Sequence, residues 1–118
     1  MSDVLKDLQP KKVFEYFEAI NQIPRGSGNE KAISDYMVQF AKDLGLEWYQ
    51  DEAYNVVIKK PGTPGYENAE PVIMQGHLDL VAVKTEGYEH DFTKDPLKLF
   101  VEEGKIGAYN TSLGADDG

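Results

Sequence analysis

The chain has 118 residues, a net charge of −9 from 12 basic and 21 acidic side chains, and 41% hydrophobic content. This allows one globular domain with a modest core, and it argues against nucleic-acid partners and anionic membrane surfaces, because no basic stripe exists to displace counterions. With no cysteine, disulfides and thiolate metal sites are excluded.

The start, MSDVLKDLQPKK, is too polar for a secretory segment, and no apolar run nears the ~18 residues of a membrane span. A cytoplasmic location is the default expectation. In chain order, Val13, Phe14, Phe17, Ile20 and Ile23 recur at three- and four-residue spacing and predict a helix over 12–22. Pro10 suits its first position and Pro24 ends it. After the loop RGSGN, a second helix is predicted over 30–44, with Ala32, Ile33, Tyr36, Met37, Phe40, Ala41 and Leu44 on one face. Asn29 or Ser27 is the expected cap, and Gly45 fits the position just past the end.

The period then changes. Residues 46–49 and 55–60 are β-branched or aromatic enough for strands. PGTPGYENAEP is a Pro/Gly-rich turn of the kind that joins neighbouring strands. Residues 71–76 are apolar on both faces, which predicts a central strand. KLFVEEGKIGAY predicts a hairpin turning at Glu103-Gly104. The expected class is α/β, with helices packed on a mixed β-sheet.

Two stretches carry candidate chemistry. In MQGHLDLV, His77 and Asp79 are two residues apart at the end of the predicted strand, so they share a side if the chain stays extended. Imidazole is a good zinc ligand, and a neighbouring carboxylate can orient the ring or act on the metal. Taken alone, this spacing is more often an ordinary hydrogen-bonded pair than a metal site. GADDG, residues 114–118, sets two carboxylates between glycines. It suits a polar turn, or a carboxylate offered to a divalent cation. Arg25-Gly26-Ser27-Gly28 lacks the pattern of a phosphate loop and a preceding strand. Glu102-Glu103 is expected to be a solvated turn pair. The aromatics Phe14, Tyr16, Phe17, Tyr36 and Phe40 are expected in the core or on its flank.

The stretches IPRGSGNE, NVVIKKPGTPGYENAEPVIMQGHLDLV, EHDFTKDPL and SLGADDG, in this order and spacing, resemble the aminoacyl-histidine dipeptidases. These belong with the co-catalytic zinc peptidases that include aminoacylases, tripeptidases and glutamate carboxypeptidases. The resemblance implies that His77 ligates one zinc, that Asp79 is the catalytic aspartate beside it, and that Asp116 bridges two zinc ions. Asp117 would stand next to the bridge without being a ligand, across a peptide bond that is cis in relatives. His90 matches no ligand position. The implied parent is a metallo-dipeptidase cleaving Xaa-His dipeptides with two zinc ions per site, cobalt or manganese being possible replacements, and homodimeric assembly is an expectation for it.

The resemblance also requires a base glutamate, a neighbouring glutamate ligand, a further acidic ligand and a second histidine, all beyond GADDG. Residues 1–118 are therefore expected to be the N-terminal part of a zinc-peptidase catalytic domain, inactive by itself. The alternative is a non-catalytic binding or assembly module on the same fold, with a vestigial site.

Overall fold

The computed structural model describes residues 4–114. Helix α1 spans Lys11–Asn21 and helix α2 spans Lys31–Asp43, within one or two residues of the periodic segments. Strands β1 (Glu47–Gln50) and β2 (Val56–Lys59) form one antiparallel ribbon, with Trp48 opposite Ile58. Strands β3 (Leu99–Glu102) and β4 (Lys105–Ala108) form a second, with Val101 opposite Ile106. The molecule thus combines helices with strands as an α/β chain. The ladders of the described residues are antiparallel, and the parallel component is an isolated bridge between Gly26 and Leu80.

Both predicted turns at glycine are present. The β3–β4 hairpin turns at Glu103 and Gly104, with φ of 50° and 74°. Two successive positive φ values match the twist of the flanking strands, and glycine supplies the second at no steric cost. At the end of α2, Gly45 has φ 67°. Its amide donates to Lys42 O, while the Leu46 amide reaches back to Ala41 O at 2.9 Å. These two bonds satisfy carbonyls that the last turn leaves without helical partners.

Three expectations about caps and strands need correction. The first residue of α1 is Lys11, with Pro10 one position earlier as its cap. The cap of α2 is Glu30, and its side chain makes no capping bond. Ser27 is not the cap because its hydroxyl is engaged elsewhere. Finally, residues 71–76 form no strand. Val72, Ile73 and Met74 are 87%, 89% and 94% exposed. Apolar character on both faces marks a segment suited to burial, but a strand also needs a neighbouring backbone to complete its ladder, and no described segment runs beside these residues.

Helix α2 is buried on two sides. Ser34, Val38 and Ala41 face the β1–β2 ribbon, where the Ser34 hydroxyl donates to Tyr54 O at 2.7 Å and accepts from Gln50 Nε2 at 2.8 Å. Its other side, with Tyr36, Met37 and Phe40, meets α1 across an apolar groove of about 370 Å³, and Tyr16 packs edge-on against Phe40 at 5.3 Å. Ala32 and Leu44, expected on the core face, are exposed. The tightest core lies beyond α1, where Leu5, Leu80, Leu97 and Leu99 pack with Phe14, Phe17, Phe92 and Leu113. Burying a leucine side chain contributes roughly 1.5–3 kcal/mol. Leu80 therefore pins the chain directly after the His-x-Asp stretch.

Candidate active site

The site begins at the bridge between Gly26 and Leu80. The Leu80 amide donates to Arg25 O at 2.9 Å, and the Ser27 amide donates to Leu80 O at 3.0 Å. These bonds hold residues 25–27 alongside the end of the His-x-Asp segment. The Ser27 hydroxyl then donates to Asp79 Oδ2 at 2.5 Å and contacts Leu80 O at 3.2 Å. The Asp79 carboxyl is held below the usual carboxylate range, first by the Ser27 hydroxyl and further by His77. It is therefore an anion at neutral pH.

His77 and Asp79 lie on the same side of the chain. His77 Nδ1 is 2.8 Å from the backbone carbonyl oxygen of Asp79 and 3.4 Å from its Oδ1. A carbonyl oxygen only accepts, so Nδ1 carries the proton and the neutral ring has its lone pair on Nε2. The backbone carbonyl, more than the carboxylate, sets the ring's tautomer. An imidazole of this tautomer beside an ionised carboxylate suits a borderline cation such as zinc.

The segments after His-x-Asp and before GADDG are stitched together. Lys84 and Thr111 form an antiparallel bridge. The Thr85 amide donates to Asn110 O at 2.7 Å and the Ser112 amide to Val83 O at 2.8 Å, while the Ser112 hydroxyl donates to Val81 O. Gly114 has φ 59°, and a Cβ there would collide with the Cβ of Leu80. This glycine permits both the left-handed turn and the close approach. Asp116 and Asp117 lie outside the described residues, so their convergence on His77 and the geometry of the peptide bond between them are not described. Among the described residues no three histidine or carboxylate side chains cluster closely enough to hold a metal ion.

The His90 ring lies 6.0 Å from that of Tyr88 and 4.5 Å from that of Phe92. Glu102 and Glu103 are exposed at the hairpin. Arg25 and Ser27 were not legible as site residues in the sequence. Apart from Asn21, four positions before Arg25, the side-chain partners of both residues lie more than 50 positions away. The signal in the sequence is their place in IPRGSGNE, a stretch that carries the resemblance.

No protein-family model matches the chain. It is 40% identical over 114 residues to the cytosol non-specific dipeptidase of Escherichia coli (strain K12), a match covering 97% of this chain and 24% of that protein. It superposes on the crystal structure of aminoacylhistidine dipeptidase from Vibrio alginolyticus with a TM-score of 0.90 and 38% identity, covering 99% of this chain and 24% of that one. The chain thus spans about a quarter of the length of each. Over that quarter it is a homologue of these two dipeptidases.

Proposed function

We propose that this chain is the N-terminal part of the catalytic domain of a cytoplasmic zinc dipeptidase that cleaves dipeptides, Xaa-His among them. In this role His77, through Nε2, and Asp116 would hold zinc, and Asp79 would be the catalytic aspartate that steadies His77. The observation that carries the proposal is the fixed His77–Asp79 pair, with Nδ1 on the Asp79 carbonyl and the Asp79 carboxylate held by Ser27, in a chain 40% identical to a dipeptidase.

Zinc, when bound, activates water and polarises the scissile carbonyl. The chain's own residues prepare for it. The carbonyl of Asp79 keeps the His77 proton on Nδ1, and Ser27 holds Asp79 ionised and aimed. Residues 81–85 and 110–113 tie the backbone leading to Asp116 against the His-x-Asp segment. Since zinc sites generally use three or four protein ligands, the 118 residues alone supply too few, and neither tight binding of two zinc ions nor turnover is expected of them. A homodimeric parent is part of the same proposal.

The test is release of free amino acids from an Xaa-His dipeptide by the full-length protein, before and after chelation and zinc re-addition. Chelator-sensitive turnover is expected, abolished in His77→Ala and Asp116→Ala. A chelator-insensitive enzyme, or turnover by the isolated 118 residues, would overturn it.

A further inference from the structure

Arg25 follows the end of α1, is 4% exposed, and faces carbonyl oxygens from two distant loops. Its Nη2 donates to Asn21 Oδ1 at 2.7 Å and makes a longer contact of 3.4 Å with Leu113 O. Its Nη1 lies 3.4 Å from Leu78 O and 3.5 Å from Gly114 O. Leu78 is the residue between His77 and Asp79, and Gly114 opens GADDG. Asn21 is itself fully buried, donating to Phe17 O at 2.9 Å while its backbone carbonyl accepts from the Leu97 amide.

A buried cation is costly unless anions or dipoles surround it. Burial pulls the Arg25 guanidinium below its ordinary pKa, and the nearby Asp79 carboxylate pulls it back up. The planar fork can reach several carbonyls at once, which a lysine ammonium on its flexible stem does poorly. A neutral apolar side chain would leave the same carbonyls without donors.

We propose that Arg25 is a positioning residue that clamps the His77–Asp79 turn and the turn leading to Asp116 against each other, thereby fixing the tautomer of His77 and the spacing of the metal ligands. The clamp is anchored to α1 through Asn21, so the helix is the fixed frame for both turns. Its consequence for zinc rests on the function proposed above; its consequence for His77 does not.

The test uses the full-length protein with Arg25→Met and Arg25→Lys. In metal-free protein at a fixed neutral pH, ¹⁵N NMR of the imidazoles, with His77→Ala assigning the resonance, should show the Nδ1–H tautomer in wild type. Arg25→Met should shift His77 toward a mixture of tautomers. Zinc affinity, measured by competition with a chromophoric chelator, should fall about 10–100-fold, as when a group supporting a metal ligand is lost. Per folded molecule, kcat should fall while KM holds. A merely structural arginine would lower thermal stability and leave tautomer, affinity and kcat unchanged, which overturns the proposal. If Arg25→Met does not fold, Arg25→Lys decides, because it keeps the charge and loses the fork; wild-type tautomer and zinc affinity in it overturn the clamp. A wild type that binds no zinc sinks the zinc dipeptidase instead, and the metal-free tautomer shift still decides for or against the clamp.

Discussion

Asp79 shows how a single hydroxyl can set the state of a site residue. Its folded pKa is depressed, chiefly by the Ser27 hydroxyl. For a depressed carboxyl, the stability gained is present above the unfolded pKa and is lost as pH falls through the folded value. Ser27→Ala should therefore raise the Asp79 pKa and, on the dipeptidase function proposed above, move the acid limb of kcat/KM of the full-length protein to higher pH. An acid limb that stays in place would mean that Asp79 does not govern it. Gly114 makes a second demand at this scale. Alanine there must hold a left-handed φ, which costs roughly 1–2 kcal/mol. It must also displace Leu80, where overpacking typically costs about 1–3 kcal/mol. Gly114→Ala should destabilise the full-length protein by about 2–5 kcal/mol in urea unfolding, and a neutral result would show that the 113–114 turn is free to move away.

Among the elements, those set by local periodicity were the legible ones. The helical spacing of Phe14, Phe17 and Ile20, and of Ile33, Met37 and Phe40, is a property of the segment itself, and α1 and α2 follow it closely. So do the hairpin at Glu103-Gly104 and the glycine stop of α2. Ser27 does not cap α2 because its hydroxyl bonds to a residue 52 positions away, and no local rule weighs a cap against a distant carboxylate. The His77–Asp79 pair was visible as a pair, while Arg25, which spans from Leu78 to Gly114, could be found only in three dimensions. The strand expected over 71–76 failed for a related reason: apolar character records the need for burial and not the presence of a partner. An extended, uncharged and unpaired run of this kind invites edge-to-edge association. The isolated 118-residue chain should therefore self-associate with concentration, and Ile73→Lys should weaken that association on the order of tenfold, about 1.4 kcal/mol. Sedimentation velocity that shows a monomer at every concentration would remove the run as a sticky edge.

The whole molecule carries the same imbalance. Its radius of gyration is 16.1 Å and its extents are 54 × 35 × 22 Å, whereas a compact chain of 118 residues would have a radius near ~13.5 Å. The excess fits a molecule with a tight core around Leu5, Leu80, Leu97 and Leu99, an open apolar groove between α1 and α2, and an apolar run that nothing described covers. Apolar surface already in water in the folded state adds nothing to the heat capacity of unfolding, because that increment comes from newly hydrated apolar area. A compact chain of this length would give about 1.4–1.8 kcal/mol/K. Scanning calorimetry of the isolated 118 residues should give a value well below that range, with a broad transition. A sharp two-state transition with a heat capacity change inside the range would mean that these residues bury far more apolar surface in solution than their open groove and exposed run allow.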